Sequence, residues 1–411
     1  MGSASFRTLP LVGLFLACAP AEIGNVVIPV DRAPEVRIGV ALDLPALTLG
    51  GGGAILLRTP SGETLGELPA QASVPVTAGQ QGLRLRGGGS LEFPGIELLL
   101  ESSEAQGTVR LQGREYRGRF LISASSGGVR AVNLVDLEEY LAGVVGAEMG
   151  LRGESELEAL RAQAVASRTF AVRALGRWRT RGYDLVSTVA DQAYAGVGFE
   201  YPLASQAVRE TRGQVVSWND APIDAFFHST CGGRTADGTE VFPNADRPYL
   251  RSIRDEDAGG RAWCSISPRF RWQESWTSEE LARTLAATLP AAGGSAALGR
   301  AVRELTIVGR TATGRVAQLD LRGATGGLRV SGPVARLILR NREGAMLRSA
   351  DFQLQITRSG SRIVQLIASG TGAGHGVGMC QWGALARSRA GFSYSDILSA
   401  YFPGTQITRS Y

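Results

Sequence analysis

The chain has 411 residues, of which 44% are hydrophobic and 20% charged. That is the composition of a globular protein with a sizeable core, and it excludes a disordered or fibrous chain. The formal net charge is only +5, every basic residue is arginine, and no basic run is interleaved with aromatic residues. Nucleic acid is therefore not an expected partner.

The N-terminus has the pattern of an export signal. Arg7 precedes the apolar run LPLVGLFLACA, which has the length of a signal-peptide core and is short for a membrane span. The run ends at Cys18, in a context that resembles a lipobox. We expect a leader over residues 1–23, followed by lipidation at Cys18, by ordinary cleavage, or by retention as an anchor. The mature chain would then work in the cell envelope or periplasm, where free thiols oxidise.

Residues 24–115 are predicted to be rich in β-strands. They contain short Val, Ile and Leu runs separated by Gly and Pro, a pattern typical of strands and turns. The Gly-rich stretches at 50–53 and 87–90 are interpreted as turns, because no helix start follows them as a phosphate loop requires.

Residues 116–411 are predicted to form a mixed core, with a signature block over 131–215. Helical periodicity begins in NLVDLEEYLAGVVGAEMG, and a second helix begins near Glu154. The run TSEELARTLAATL predicts a helix capped by Thr277 or Ser278. The runs GQVVSW, IDAFFHS, VRELTIVG, VAQLDLRG, LRVSG and FQLQITR predict strands, and two helices are expected near the C-terminus. The fold class is α+β.

Glu148 is the first candidate for chemistry. Carrying the helical phase forward from Leu137 places Glu148 on the apolar face, at the negative end of the helix dipole. Both effects favour the protonated carboxyl that a general acid for glycosidic cleavage needs. The alternative is a structural ion pair with Arg152 or Arg168.

The only two histidines, His228 and His375, each lie in a Gly-rich run that also holds a cysteine. One interpretation is a tetrahedral zinc site. Another is one disulfide with one free thiol, and a third is a set of inert buried cysteines. A fourth is a Cys–His nucleophile, for which no orienting partner is evident. The metal ligands would be His228, Cys231, Cys264 and Cys380.

The run VADQAYAGV places Asp191, Gln192 and Tyr194 in a turn between helical and strand segments. Polar and aromatic side chains of this kind line sugar-binding clefts, and they also serve simply to pack a loop. Both interpretations stay open at this point.

These segments together resemble the SpoIID/LytB family, which is named for stage II sporulation protein D. NLVDLEEYLAGVVGAEM is similar to the family signature L-x-x-YL-x-x-VV-x-x-EM, and EALRAQAVASRTFAV to its following helix. DQAYAG, AFFHSTCGG and GHGVGMCQWGA are similar to the later blocks, in the same order. The resemblance covers about residues 115–405. Cys231 and Cys380 depart from the pattern, because many relatives have Ser there.

The resemblance implies an exported protein with a long cleft that acts on peptidoglycan as a lytic transglycosylase. Such enzymes cut the MurNAc–GlcNAc β-1,4 bond, favour strands without stem peptides, and leave 1,6-anhydro-MurNAc ends. Glu148 aligns with the catalytic residue. The residues implied to bind substrate are Gln163, Arg168, Thr169, Asp191, Gln192, Tyr194, His228, Ser229, Thr230, His375 and Gln381. The resemblance thus implies that the two histidines are brought together at one site from segments far apart in the sequence.

The resemblance also implies structural zinc in some members, and it leaves a second function open. LytB-like members bind the cell wall and enhance an N-acetylmuramoyl-L-alanine amidase without cutting glycan. The expected partners are therefore glycan strands of peptidoglycan and a cell-wall amidase, with membrane association through a lipid anchor at Cys18.

Overall fold

The computed structural model describes residues 32–79, 82–86, 90–93, 97–324 and 326–411. The expected leader and the lipidation site at Cys18 lie outside these residues. Within the described part of the chain, no helix is long and apolar enough to cross a membrane. The described residues form two compact units. The first unit ends at Ala225 and also includes Gln406–Tyr411, and the second unit is Phe226–Thr405.

The first unit is strand-rich at its N-terminal end and helical after it. Its strands are β1 (Glu35–Leu44), β2 (Ala46–Gly50), β3 (Ile55–Arg58), β4 (Thr64–Leu68), β5 (Ser73–Gly79), β6 (Gly82–Arg86), β7 (Ser90–Phe93), β8 (Glu97–Ser102), β9 (Val109–Leu111), β10 (Arg114–Tyr116), β11 (Arg119–Ser125), β12 (Gly128–Asp136), β13 (Leu185–Val186), β14 (Gln214–Trp218), β15 (Ala221–Pro222) and, from the C-terminus, β24 (Gln406–Arg409). Its helices are α1 (Leu137–Met149), α2 (Leu157–Ala174) and α3 (Pro202–Glu210).

The second unit mixes short strands and helices. Its strands are β16 (Phe227–His228), β17 (Arg271–Thr277), β18 (Val302–Ile307), β19 (Gln318–Gly323), β20 (Gly326–Ser331), β21 (Phe352–Ser359), β22 (Arg362–Thr371) and β23 (Met379–Cys380). Its helices are α4 (Gly238–Val241), α5 (Ser278–Thr288), α6 (Ala296–Arg300), α7 (Gly332–Ile338), α8 (Gln381–Arg389) and α9 (Tyr394–Tyr401). The α+β fold class is confirmed.

Two sheets hold the strands of the N-terminal region. One has the order β13-β1-β12-β11-β8-β3-β4 and the other β10-β9-β2-β5-β6-β7. β1 pairs antiparallel with β12, which leads directly into α1. The expected boundary at residue 116 falls inside the first unit, because β11 and β12 complete the sheet to which β1, β3 and β8 belong.

The helices of the first unit pack closely through small residues. Ala162, Ala164 and Ala166 of α2 are fully buried. On α1, a β-carbon at Gly146 would lie 1.9 Å from the carbonyl oxygen of Phe199, so only glycine permits this approach. Small side chains therefore allow the helices of this unit to pack closely.

The second unit contains a part with its own hydrophobic core. This core is built from β17–β22 and α5–α7, with Trp276, Leu285 and Phe352 among its buried members. The predicted cap of α5 is confirmed. The Thr277 side chain accepts from the Glu280 amide, and Glu280 accepts in return from the Thr277 amide.

The run IDAFFHS forms a shorter strand than its sequence predicts. Only Phe227–His228 is extended and paired, parallel to Met379–Cys380. The Ala225 amide donates to the Ile223 carbonyl 3.0 Å away, and this tight turn keeps the residues before Phe227 out of a ladder.

Candidate functional site

Glu148 lies in the last turn of α1, where the sequence placed it. The helix begins at Asp136, whose side chain accepts from the Glu138 amide, and it ends at Met149. Glu148 is half-buried. Its Oε1 accepts a 2.7 Å hydrogen bond from the backbone amide of Ala193. The carboxylate is therefore held from outside its own helix by the DQAYAG loop.

Asp191 anchors the beginning of that loop. Its carboxylate pairs with Arg177 and accepts a 2.8 Å hydrogen bond from the Val186 amide. The Asp191 side chain is 1% exposed, and burial raises the pKa of its carboxyl despite the arginine. Asp191 thus fixes the backbone of the loop and does not face solvent.

Gln192 and Tyr194 anchor the other side of Ala193. Gln192 Oε1 accepts from the Tyr140 hydroxyl at 3.0 Å, and its Nε2 donates to the Ser167 carbonyl. The Tyr194 hydroxyl donates to Asn133 Oδ1 at 2.9 Å. Both side chains are buried. The three side chains point inward and leave the Ala193 amide facing Glu148.

Gln163, Arg168 and Thr169 have no exposed surface. Arg168 forms a bidentate ion pair with Glu138, both bonds being 2.8 Å. Burial acts to raise the pKa of Glu138, but the hydrogen bonds from Arg168 hold it below its ordinary value. The Thr169 hydroxyl joins α2 to the Val216 amide. In this conformation these side chains brace the helices and do not reach solvent.

The parallel pair of β16 and β23 brings the two histidine runs together in the second unit. The ring centroids of His228 and His375 are 5.5 Å apart, which confirms that the two histidines meet at one place. Phe242 packs edge-on against His375 with centroids 5.3 Å apart. The histidine pair therefore has an apolar wall.

Hydrogen bonding defines the tautomer of each imidazole. His228 Nδ1 lies 3.1 Å from the Val377 carbonyl, so this nitrogen carries the proton and donates. His228 Nε2 is buried and has no hydrogen-bond partner among the described residues. His375 Nδ1 accepts from the Val377 amide at 3.1 Å. Burial, followed by the charges of Arg336 and Arg315, lowers the pKa of His375 to about 4, and the pKa of His228 is also far below its usual value. Both rings are neutral at pH 7.

Three further predicted substrate-binding residues lie close to one of the two histidines in the sequence: Ser229 and Thr230 follow His228, and Gln381 follows His375. Thr230 is buried, and its Oγ1 lies 2.9 Å from Ser267 Oγ. Ser229 Oγ lies 3.2 Å from Thr230 Oγ1 and is partly exposed. Gln381 begins α8 and is 7% exposed. Ser229 is thus the most accessible of the three.

Cys231, Cys264 and Cys380 lie around Asp255, an aspartate that was not among the expected metal ligands. Ligand atoms of Cys231, Cys264, Cys380 and Asp255 all lie within 4.8 Å of one another, and all four residues are buried. We call these four residues the Cys3Asp cluster. Its fourth possible ligand is Asp255, whereas we expected His228 in that position. His228 stays outside because its ring packs on His375 and its Nδ1 bonds Val377.

The cysteines of the cluster are free thiols. Cys231 Sγ is 3.4 Å from Cys264 Sγ, compared with about 2.05 Å in a disulfide. Backbone amides point at the sulfurs, as Gly233 does at Cys231 and Gly383 at Cys380. Burial raises the pKa of Cys231 and Cys380. The cluster can bind a metal ion.

Asp255 is oriented by two partners from the C-terminal helices. Its Oδ1 accepts from the Tyr401 hydroxyl at 2.8 Å and from Arg387 Nη2 at 3.1 Å. Its Oδ2 is left facing Cys231 Sγ at 3.2 Å. Asp255 follows Arg254 and precedes Glu256 and Asp257 in RDEDAGGRAWC, so nothing in the local sequence distinguishes it except that Cys264 follows in the same loop.

Comparison with known proteins shows which family the chain belongs to. Residues 125–218 match the family model described as "Stage II sporulation protein". Residues 263–378 match a second model, described as "Domain of unknown function (DUF8618)". The chain therefore belongs to the SpoIID/LytB family.

Individual relatives agree with this membership. Stage II sporulation protein D of Bacillus subtilis is 31% identical over 296 residues, covering 68% of this chain and 77% of that protein. An uncharacterised protein of Brachyspira hyodysenteriae is 28% identical over 74% of this chain and 75% of its own length. The amidase enhancer of B. subtilis is 28% identical over 75% of this chain, but the match spans only 46% of that protein.

Proposed function

We propose that this chain is an exported lytic transglycosylase that cuts the MurNAc–GlcNAc bond of glycan strands in peptidoglycan. The observation that carries the proposal is the placement of Glu148, which is half-buried at the end of α1 and held by the Ala193 amide. Membership in the family, whose signature places its acidic residue at this position, supports the same assignment.

The proposed chemistry needs one carboxyl group. Glu148 would give its proton to the glycosidic oxygen as the bond to C1 of MurNAc breaks. The 6-hydroxyl of the same sugar would then bond to C1, and its proton would return to the Glu148 carboxylate. No water is added, so no second carboxylate is needed to activate one, unlike the carboxylate pair of a hydrolase.

The DQAYAG loop would serve this reaction by holding Glu148 in place. The anchors at Asp191, Gln192 and Tyr194 fix the Ala193 amide, and that amide fixes the carboxylate. We propose the same supporting role for Gln163, Arg168 and Thr169, since they are fully buried. His228, Ser229, Thr230, His375 and Gln381 remain our proposed substrate-binding residues of the second unit.

The test is mass spectrometry of the products from denuded glycan strands incubated with the mature chain. Fragments with 1,6-anhydro-MurNAc ends are expected from the wild type and not from Glu148→Gln. Glu154→Gln is a control with the same change of charge, in the turn Glu154–Glu156 that precedes α2. Equal amounts of anhydro ends from wild type and Glu148→Gln would contradict the assignment.

A second function is favoured by one comparison, because a relative is named amidase enhancer. In that case the chain would bind wall and stimulate an N-acetylmuramoyl-L-alanine amidase without cutting glycan. Tight binding to strands with no cleavage by the wild type, together with faster release of stem peptides by an added amidase, would support this function over the first.

We further propose that the Cys3Asp cluster holds a structural zinc ion. The donor set of three thiolates and a carboxylate suits zinc. The donors of a tetrahedral site with Zn–S bonds of 2.3 Å are about 3.8 Å apart, and the donors here lie within 4.8 Å of one another. The ion would supply a cross-link that ties the loops carrying Cys231, Cys264 and Cys380 together.

Elemental analysis of the purified mature chain tests the zinc proposal. About one equivalent of zinc is expected in the wild type and a large loss in Asp255→Asn. Asp257→Asn is the matched control, because Asp257 is in the same loop and its side chain accepts from the backbone amides of Gly259 and Arg261. Less than about a tenth of an equivalent, with thiols unreactive until reduction, would support a disulfide instead.

We also propose that the chain is exported to the cell envelope and is lipidated at Cys18. Both rest on the leader pattern in the sequence and on relatives whose names refer to sporulation and to an amidase. Labelling cells with a palmitate analogue, and comparing the wild type with Cys18→Ala, would show whether lipid is attached.

A further inference from the structure

The second unit has a groove lined by arginines, which we call the α5 groove. Its first part is a cavity of about 450 Å³ between the start of α5, the start of β18 and the start of β22. The arginines that line this part are Arg300, Arg303 and Arg362. Ligand sites commonly have volumes of this order, so the cavity is large enough to hold part of a ligand.

The groove continues along the outer face of α5. A second cavity, of about 620 Å³, adjoins the first, because Glu279, Ala282 and Arg300 line both. The second cavity adds Arg283 and ends at Ala287. From Glu279 to Ala287 the helix rises by about 12 Å. The α5 groove is therefore elongated, with arginines along its length.

The arginines of the groove have no carboxylate partner. Among the described residues, no Asp or Glu forms an ion pair with any of the four, which are Arg283, Arg300, Arg303 and Arg362. All four are exposed. Glu279 is the one carboxylate in the described lining of the two cavities. The groove therefore has a positive charge that the described residues do not neutralise.

Two hydrogen bonds hold arginines at the first cavity. Arg362 Nε donates to Ser278 Oγ at 3.2 Å, which joins β22 to α5 and leaves the Nη groups of Arg362 without a partner among the described residues. Arg358 Nη1 donates to the Arg303 carbonyl at 2.6 Å, so a fifth cation lies beside the lining. Guanidinium groups from two strands and α5 thus meet at one cavity.

The floor of the first cavity is part of the hydrophobic core. Leu281 and Ile363 line it and are only 4% and 3% exposed. Both belong to the core built from β17–β22 and α5–α7. The groove is therefore formed before a ligand arrives, which lowers the entropy cost of binding.

Strand β22 separates the groove from the candidate site. Arg362 begins the strand and Thr371 ends it, shortly before His375. The nine steps between these ends span about 30 Å. β17 runs antiparallel beside it, with Thr277 at the groove end and Arg271 at the other end. The α5 groove is therefore a second site, distinct from the histidine pair.

The surrounding module has the same sign of charge. Residues 263–378 contain fifteen arginines and seven acidic residues, a formal charge of +8 in a chain whose total is +5. The rest of the chain is therefore slightly acidic. A positively charged surface raises the local concentration of an anionic polymer.

The arrangement of the arginines indicates the chemistry of the ligand. Arg303 and Arg362 come from different strands, so they reach one anion from different directions. A carboxylate presents its two oxygens in one plane, whereas the oxygens of a phosphodiester surround a tetrahedral centre. Guanidinium groups bind phosphate through paired hydrogen bonds. The further arginines along α5 match a ligand in which the phosphate repeats.

We propose that the α5 groove binds a linear polymer whose units are joined by phosphodiesters. Arg303 and Arg362 bind one phosphate, and Arg300 and Arg283 bind those that follow. A hydroxyl group between phosphates donates to Glu279. This inference goes beyond the proposed function, because it assigns a second binding site to the module that matches the domain of unknown function. The site would hold the chain on an anionic polymer while the candidate site acts elsewhere.

Calorimetry with short-chain poly(glycerol phosphate) and the full mature chain tests the site. The wild type should bind, and added salt should weaken the binding. The double variant Arg300→Gln with Arg303→Gln should bind at least about tenfold more weakly, since each arginine makes charge-assisted hydrogen bonds. Replacing the same two residues by Lys should restore part of the affinity, because the charge returns without the paired geometry.

The matched control is the double variant Arg269→Gln with Arg340→Gln. Both residues are exposed arginines of the same module, and neither lines the groove. The control has the same net charge as the test variant and should keep the wild-type affinity. Thermal melts should show that all variants are folded. No binding by the wild type, or an equal loss in test and control variants, overturns the inference.

Two further ligands distinguish the polymer from other anions. Poly-L-glutamate should bind more weakly than poly(glycerol phosphate), and tighter binding of the carboxylate polymer overturns the assignment to phosphate. Vesicles of phosphatidylglycerol offer the same phosphodiester on a membrane. Binding to these vesicles without binding to the soluble polymer overturns the proposal in favour of a lipid surface. These assays involve no cleavage, so their outcome is independent of the transglycosylase proposal.

Discussion

Gly383 lies so close to Asp255 that a β-carbon at position 383 would stand 2.4 Å from Asp255 Oδ2 and 2.0 Å from the Tyr401 hydroxyl oxygen. The first turn of α8 therefore depends on glycine at this position. Its amide also donates to Cys380 Sγ at 3.4 Å. The GMCQWG run and the Cys3Asp cluster are consequently one structural arrangement.

We expect Gly383→Ala to disrupt this arrangement. The added methyl group must displace Asp255 or Tyr401, and overpacking of this kind costs about 1–3 kcal/mol. Urea denaturation should show that loss, and zinc content should fall with it. Gly198→Ala is the control, because a β-carbon there meets no atom within 4 Å. Unchanged stability and metal content in Gly383→Ala would contradict the predicted geometry.

Removing one member of the Arg168–Glu138 ion pair should be strongly destabilising. The Arg168 side chain is 0% exposed and that of Glu138 is 9% exposed, so removing one partner leaves a buried charge without its counter-charge. Arg168→Met is expected to lower the free energy of unfolding by about 3–5 kcal/mol. The double variant with Glu138→Gln should cost less than Arg168→Met alone. In contrast, Arg161→Met breaks an exposed pair and should cost under about 1 kcal/mol.

Stability should fall as the pH is lowered from about 6.5 to about 4. The pKa of His375 is about 4 in the folded chain and 6.5 in a model peptide. In this window the unfolded chain binds a proton that the folded chain does not. The free energy of unfolding therefore falls by on the order of 1 kcal/mol per unit of pKa difference. Urea denaturation at pH 7 and at pH 4.5 gives the free energy of unfolding at each pH. The difference between the two values should be smaller for His375→Gln than for the wild type. Equal differences would show that His375 does not contribute.

Tyr194→Phe should impair Glu148 from a distance. The variant removes the 2.9 Å hydrogen bond to Asn133 Oδ1 and leaves a buried acceptor unsatisfied, which costs about 1–3 kcal/mol. The DQAYAG loop loses one anchor of the Ala193 amide, so we expect kcat on denuded glycan to fall while KM changes little. Tyr183→Phe is a control on a buried tyrosine outside the loop. A change confined to KM would contradict a positioning role.

Local signals in the sequence were sufficient to predict the elements that carry the candidate residues. The periodicity of NLVDLEEYLAGVVGAEM identified α1 and placed Glu148 near its end, and the Thr277–Ser278 pair identified the start of α5, where Thr277 is the cap. These predictions hold because helical periodicity and caps depend on residues within one or two turns. IDAFFHS was predicted less well, because its pairing depends on Met379–Cys380.

The grouping of residues from distant blocks came partly from the family resemblance. The motif order implied that His228 and His375 meet, and the parallel pair of β16 and β23 brings them together. The cysteines were singled out because an exported chain does not keep idle thiols. Asp255 was missed, because an aspartate in an acidic loop has no distinguishing pattern.

The sequence by itself determined the α+β class, the family, the helices and their caps, and the candidate carboxyl of Glu148, because these follow from short-range pattern and ordered motifs. Only the tertiary structure decided that the Ala193 amide holds Glu148 across 45 residues and that Tyr401 orients Asp255 across 146. A backbone amide has no side chain to recognise, and a contact between distant positions leaves no periodic trace, so such pairings exist only once the chain has folded.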